Sequence, residues 1–201
     1  MTSNCYIVVD EESKHCICID PASERSRHEI AYIAGNGLTL DYILLTHEHT
    51  DHTWGVNALL SCYPKVNVVC SQLCETALSH EAKIYFQLYY DDSDYSYCVE
   101  RVDNTIEELG MFLKWQGHVI NFIATPGHSP GSIVIDIDNV LFGGDTLMPF
   151  KPYIKKRNGG SIEQLRESMS TLEDLYPPET LVYPGHGDAI AFCEIIKYLK
   201  K

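Results

Sequence analysis

Thr46-His47-Glu48-His49-Thr50-Asp51-His52 decides how this chain is read. Three histidines and an aspartate fall within six residues, directly after the apolar run Tyr42–Leu45. A buried strand that opens into a loop can aim several side chains at one point. Neutral imidazole and carboxylate are donor types that zinc accepts. His47 and His49, two apart, point together while the backbone stays extended, and Asp51 and His52 then turn toward a neighbouring position. The alternative is a solvated polar loop. It fares poorly, because a chain with nine histidines rarely gathers three of them beside an aspartate by chance.

Three other segments share this design of buried strand, tight turn and nitrogen or oxygen donor. Thr125-Pro126-Gly127-His128-Ser129-Pro130-Gly131 follows Val119–Ala124, and its prolines and glycines fix a turn from which one imidazole projects. Gly143-Gly144-Asp145-Thr146 follows Val140–Phe142, and Tyr183-Pro184-Gly185-His186-Gly187 follows Leu181–Tyr183. Each alone is an ordinary turn. Together with the first segment they supply His47, His49, Asp51, His52, His128, Asp145 and His186. Seven donors exceed what one four-coordinate zinc uses, whereas two metals sharing a bridge use seven.

Around these segments, alternating apolar residues predict strands at Asn4–Val9 and His15–Ile19, joined by a turn at Glu11–Lys14. Further strands are expected at Val66–Val69, Phe112–Trp115 and Ile133–Ile137. Helical character covers Ser23–Ala34, His52–Leu60 and Ser71–Leu78. Ser161 and Gln164 form a capping box ahead of the stripe Ile162, Leu165, Met169, Leu172 and Leu175. Pro177-Pro178 stops that helix, and Asp188 starts a last one running to Leu199. Two mixed sheets packed face to face with helices outside fit this order.

At 201 residues the chain has the length of roughly one domain. Its net charge of −13 argues against wrapping a nucleic-acid backbone or docking on an anionic membrane. No apolar run reaches the roughly 18 residues of a membrane span. Met1–Asp10 has neither a basic start nor a small-residue cleavage site, so a cytoplasmic location is expected. The eight cysteines show no paired zinc-binding spacing and read as buried, reduced thiols.

The run His47-x-His49-x-Asp51-His52, with Pro126-Gly127-His128, Gly144-Asp145-Thr146 and Pro184-Gly185-His186, resembles the metallo-β-lactamase superfamily in order and gaps from Tyr6 to Ile196. The resemblance implies an α/β (α+β) fold, a four-layer αββα sandwich, with residues 1–201 as a single metallo-β-lactamase-like domain. It implies two divalent metal ions per chain, most simply Zn2+, with Fe or Mn also suited to histidine and carboxylate. His47, His49 and His128 match ligands of the first metal, and Asp51, His52 and His186 those of the second. Asp145 matches the carboxylate bridging both, opposite a bridging hydroxide, so Asp51 and Asp145 are the candidate catalytic carboxylates.

Within the superfamily, Gly144-Asp145-Thr146-Leu147 and the helix start at Gly159-Gly160-Ser161 look like glyoxalase II and its small single-domain relatives, which hydrolyse hydroxyacyl-glutathione thioesters. The sequence departs from that pattern after His186, where Gly187-Asp188-Ala189 replaces the usual Glu-Tyr-Thr. Full-length glyoxalase II continues into a C-terminal helical domain with glutathione contacts, whereas this sequence runs one expected helix past Gly185-His186. The alternatives are a mononuclear iron persulfide dioxygenase-like oxidoreductase, which resembles the chain at His47, His128 and Asp145 but not at the second position, a lactonase or phosphodiesterase, and a non-catalytic binding module.

Lys151, Tyr153, Lys155, Lys156 and Arg157 follow Asp145 closely. In so acidic a chain this basic loop is the expected contact for a small anionic substrate; a solvated loop is the alternative. A homo-oligomer is compatible with the sequence. Tyr85–Asn104 is rich in tyrosine and either covers the same opening or packs on the body or a partner subunit. His15, His28, His80 and His118 read as structural or exposed, Glu48 and Thr50 as exposed or supporting the ligands, and Thr46 and Thr146 as hydrogen-bonding within the ligand loops.

Overall fold

In the computed structural model, which describes residues 3–79, 97–152, 154, 156 and 159–199, the strands form two sheets. The first contains β1 (Tyr6–Asp10), β2 (His15–Ile19), β3 (Thr39–Leu44), β4 (Asn67–Cys70) and β5 (Asn104–Thr105), in that order. The second runs β11 (Ile190–Ala191), β10 (Leu181–Pro184), β9 (Val140–Gly144), β8 (Ile133–Ile137), β7 (His118–Ala124) and β6 (Phe112–Trp115). The helices are α1 (Arg27–Gly35), α2 (Thr50–Thr53), α3 (Val56–Cys62), α4 (Gln72–Ser79), α5 (Ile162–Leu175) and α6 (Phe192–Leu199).

Side-chain alternation builds the layers. On β2, Ile17 and Ile19 face the space between the sheets, where they join Leu44, Val69, Ile120, Phe122, Ile135 and Phe142. Cys16 and Cys18, one step out of phase, face α1, α3 and α4 with Ile33, Leu59 and Leu78. On β8, Ile133, Ile135 and Ile137 point into the sandwich, while Val134 joins Leu165, Met169, Leu172 and Phe192 from α5 and α6. The result is the expected helix–sheet–sheet–helix order. Ser161 caps α5 as anticipated, its hydroxyl accepting from the Gln164 N–H.

Several expectations are corrected. Leu175, placed on the buried stripe of α5, is exposed: it is the last residue of the helix, and Leu172 is the last of its buried residues. The helix expected over His52–Leu60 is two, α2 and α3, separated at Trp54-Gly55. Gly55 packs against Ser26 and Pro21 so tightly that an added Cβ would lie 2.1 Å from the Ser26 hydroxyl. The last helix starts at Phe192 rather than Asp188, since Ile190–Ala191 pairs with β10 first. All eight cysteines are free, but only Cys16, Cys18, Cys70 and Cys74 are buried. No helix among the described residues is long and apolar enough to cross a membrane.

At the end of β1, a histidine ties the two sheets together. His118 lies 3.2 Å from Asp10 of β1 and 2.6 Å from Asp138, with its ring tilted at 33° against Trp115. Its hydrogen bonds to both carboxylates raise its pKa above the ordinary value. Asp10, held down to about 2 by the Ser13 hydroxyl and N–H and by His118, stays ionised throughout the neutral range. A raised folded-state pKa means the pair's contribution is fully present below about pH 6.5 and lost as pH climbs through the raised value. His118→Gln should therefore lower the thermal midpoint by about 1–3 °C at pH 6 and by less at pH 9. Equal losses at both pH values would disprove this.

Candidate metal centre

β2, β3 and β4 run parallel to one another, as do β9 and β10, and β8 is antiparallel to both β7 and β9. The segments after β2, β3, β7, β9 and β10 therefore emerge at the carboxyl ends of like-directed strands within each sheet, a place where α/β sheets commonly bind ligands. All seven candidate ligands sit on these segments. Bonds between loops hold the rim: the Ile133 N–H donates to Thr46 O at 2.8 Å, and the Gly185 N–H to Gly144 O at 2.7 Å. Glycine is required where loops touch. A Cβ on Gly185 would lie 2.3 Å from Asp145 Oδ1 and 2.8 Å from His52 Cε1. At Gly144, φ +47°, a Cβ would lie 2.4 Å from Thr46 Oγ1.

The donors converge in two adjoining groups. His47, His49, His128 and Asp145 form one, with His49 Nδ1 at 3.1 Å from His47 Nε2 and 2.8 Å from His128 Nε2. Asp51, His52 and His186 form the other. Asp145 reaches into both: Oδ2 is 3.4 Å from His128 Nε2, while Oδ1 is 3.3 Å from His52 Nε2 and 3.5 Å from His186 Nε2. The structure thus brings all seven sequence-predicted ligands to one place.

Hydrogen bonds behind the ligands set their tautomers. Thr46 Oγ1 gives its only proton to Asp20 Oδ2 at 2.6 Å, so at His47 Nδ1, 3.0 Å away, it acts as acceptor. The proton of His47 is thereby held on Nδ1, and the Nε2 lone pair faces the cluster. His52 Nδ1 lies 3.0 Å from Asp20 Oδ2, which leaves its Nε2 facing the cluster in the same way. Carboxylate–histidine pairs of this kind orient metal ligands and raise their basicity.

Asp20 was not among the sequence candidates. It is buried, has φ +51° and also accepts from the Thr46 N–H at 2.8 Å. Its signal was an isolated carboxylate at the end of a buried strand, ahead of Pro21. Of the two readings of Glu48, exposed or supporting the ligands, the structure bears out the second: it is 3 % exposed and accepts from Ser129 Oγ at 2.9 Å, bracing the turn that carries His128. Thr146 hydrogen-bonds within the ligand loops, to Thr125.

The electrostatics match a cation site. Burial pushes His47 well below its ordinary pKa and His49 down to about 3, keeping both imidazoles in the neutral, ligating form. Burial would raise Asp145 and Asp51, but the surrounding histidines outweigh it and hold both ionised, Asp51 at about 2. Burial would lower His186, but hydrogen bonds to Asp145 and Asp51 push it up to about 9. Among the described residues Asp51 Oδ1 is buried without a hydrogen-bond partner, and His52 Nε2 and Asp145 Oδ1, 3.3 Å apart, are buried with only poorly aligned ion-pair contacts. Leaving such atoms unpaired costs about 1–3 kcal/mol each, more when charged, a large share of a typical net stability of about 5–15 kcal/mol. Divalent cations accepting these lone pairs resolve that cost, so the residues fit the metals that the sequence implied.

Of the basic loop, Lys151 and Lys156 are exposed, while Tyr153, Lys155 and Arg157 lie outside the described residues. The loop leaves from Pro149-Phe150, and Pro149 packs on Gly187 beside His186. Most of the tyrosine-rich segment, 80–96, also lies outside the described residues. Tyr97 is buried on the body and its hydroxyl donates to Thr53 O.

The chain is 29% identical over 194 residues to the probable polyketide biosynthesis zinc-dependent hydrolase BaeB of Bacillus velezensis, covering 93% of this chain and 74% of that protein. It is 30% identical over 181 residues to a hydroxyacylglutathione hydrolase of Aeromonas hydrophila, covering 90% of this chain and 60% of that protein. The chain therefore spans about three fifths of the length of that relative. Among solved structures, the B3 metallo-beta-lactamase BLEG-1 superposes with a TM-score of 0.85 at 24% identity, over 97% of this chain and 91% of that one, which shows the shared fold. The sequence profile of the metallo-beta-lactamase superfamily matches residues 1–186, a span that takes in every donor loop from Asp20 to His186. The gathering of those loops on one rim of a two-sheet sandwich is what that match predicts, and the chain belongs to the metallo-β-lactamase superfamily.

Proposed function

We propose that this chain is a hydrolase with two divalent metals, zinc foremost, that cleaves a thioester or ester such as a hydroxyacyl-glutathione. The observation that carries the two-metal reading is the Asp145 carboxylate, whose two oxygens face different ligand groups. Two bound cations supply an activated water at neutral pH and Lewis-acid pull on an acyl carbonyl. The chain's own residues do the rest. His47, His49 and His128 with Asp145 hold one position, and Asp51, His52 and His186 with Asp145 hold the other. Asp51 and Asp145 offset part of the cationic charge and set the spacing. Thr46 and Asp20 keep two of the imidazoles in the ligating tautomer.

The names of the relatives support hydrolysis, and the hydroxyacylglutathione hydrolases among them support a thioester. The substrate's anionic tail is assigned to the basic loop, because that loop starts against Gly187, next to His186. The test is thiol release from S-lactoylglutathione by protein of known metal content. Activity that tracks two metal equivalents and disappears with a chelator is expected. One iron per chain with oxygen uptake would overturn the reading in favour of the oxidoreductase.

Lys151→Ala combined with Lys156→Ala should raise KM for S-lactoylglutathione about fivefold, the equivalent of roughly 1 kcal/mol for two exposed charge contacts. The kcat should stay unchanged, because a tail contact made equally in the ground and transition states is uniform binding. A neutral nitrophenyl acetate should respond to neither substitution. If both substrates lose activity alike, the loop is not the recognition element.

A further inference from the structure

The segment Ser3–Tyr6 grips two of the three residues of the second ligand group. Ser3 Oγ donates to Asp51 Oδ2 at 2.9 Å. The Asn4 N–H donates to Gly185 O at 2.7 Å. Asn4 Nδ2 donates to Gly187 O at 2.7 Å and also lies 3.0 Å from Pro184 O and 2.9 Å from the Tyr6 hydroxyl. That hydroxyl in turn donates to Pro184 O at 2.6 Å. The carbonyls of residues 184, 185 and 187 are thus all held, and His186 lies among them. Pro184 ends β10 and has no N–H to donate, so beyond the Gly185 N–H bond to Gly144 O the turn relies on carbonyls that Asn4 and Tyr6 hold. His52, the third member of the group, is braced separately by Asp20.

We propose that Asn4 and Ser3 are positioning residues for the second metal: Asn4 fixes the turn that presents His186, and Ser3 fixes the carboxylate of Asp51. The proposal rests on the two-metal reading above. It predicts a selective effect, because the side chains of Ser3 and Asn4 bond Asp51, Tyr6, Pro184 and Gly187 and, among the described residues, none of His47, His49, His128 or Asp145. It also separates positioning from folding. β1 stays paired with β2 over five residues, Tyr6↔Ile19 through Asp10↔His15, whatever side chain stands at position 4.

The amide orientation of Asn4 is fixed by its partners, since the two carbonyls can only accept. Asn4→Asp keeps the shape and points a carboxylate at those carbonyls. Ser3→Ala removes the donor to Asp51, and Ser3→Thr restores a hydroxyl. Zinc binding to metal-stripped protein, measured by competition with a chromophoric chelator and by metal analysis, reads both sites without reference to activity.

The wild type should bind two equivalents. Asn4→Asp and Ser3→Ala should each keep the first at unchanged affinity and hold the second about 10–100-fold more weakly, the usual loss for a partner behind a ligand. Ser3→Thr should behave as wild type. Unchanged binding of both equivalents in both weakening variants overturns the proposal, as does equal weakening of both, which would mark a merely structural role. If Asn4→Asp does not fold, the Ser3 pair decides alone. A wild type that binds only one equivalent removes the two-metal reading and this proposal with it, a failure visible before any variant is made.

Discussion

The Asp145→Ala protein is expected to fold and to lose its second zinc. The carboxylate faces His128 through one oxygen and His52 and His186 through the other. Two doubly charged cations about 4 Å apart repel by roughly 15–20 kcal/mol at an effective dielectric of about 20, four times the unit-charge value. With Asp145 gone, Asp51 is the one carboxylate left in the two ligand groups to offset that repulsion. The loss should therefore exceed the 10–100-fold typical of a partner behind a ligand, so the second equivalent binds more than about 100-fold more weakly. Hydrolysis should fall with it. The fold should survive, because the sandwich core is built from other residues, such as Ile17, Leu44, Ile120 and Ile135. Metal analysis and circular dichroism check both halves of the prediction. A variant that keeps two equivalents and wild-type hydrolysis would show that Asp145 bridges nothing.

Asp20→Ala should damage both stability and metal binding. The substitution leaves the buried Thr46 N–H and hydroxyl without their acceptor and His52 without its brace. Removing one member of a buried, hydrogen-bonded polar set costs about 3–5 kcal/mol. The left-handed backbone at φ +51° adds to that cost for alanine. For a chain of this size the thermal midpoint should fall by roughly 6–20 °C. Asp20→Asn separates the two effects. Asparagine tolerates the left-handed conformation and its Oδ1 can still accept from the Thr46 N–H, while its NH2 replaces the oxygen facing the Thr46 hydroxyl and His52. Part of the stability should return, but His52 loses its carboxylate, so zinc affinity should stay about 10–100-fold down. If Asp20→Asn binds zinc like wild type, the His52–Asp20 contact has no role in metal binding.

The site was more legible than the architecture. A metal needs particular donor types at spacings that a strand end can deliver, so His47, His49, Asp51 and His52 stand out in the sequence. His128, Asp145 and His186 gained meaning only together, because each sits alone in a glycine turn that has an ordinary structural explanation. Asp20 escaped because it acts through Thr46 and His52 rather than at the cluster, and nothing local distinguishes it from a turn aspartate. Glu48 was left between an exposed and a supporting role because its alternation with the ligands does not say where its side chain goes; it bonds Ser129. Layering was readable on β2 and β8, where period-2 alternation separates inner from outer faces. The two-residue strands β5 and β11 were not, since two residues carry no period and exist only by pairing with β4 and β10.

The hold that Asn4 takes on Pro184 spans 180 positions of sequence. Contacts of such separation form late in folding, because closing a long loop costs entropy before any bond repays it. The donors themselves come from positions as far apart as His47 and His186, so on the two-metal reading no short stretch of nascent polypeptide could capture both cations as a zinc finger captures its one. Here the sandwich must be assembled before the rim exists, and metal acquisition becomes a maturation step that follows folding instead of driving it. Under metal scarcity, a protein built this way would accumulate as folded molecules awaiting metal rather than as unfolded chains.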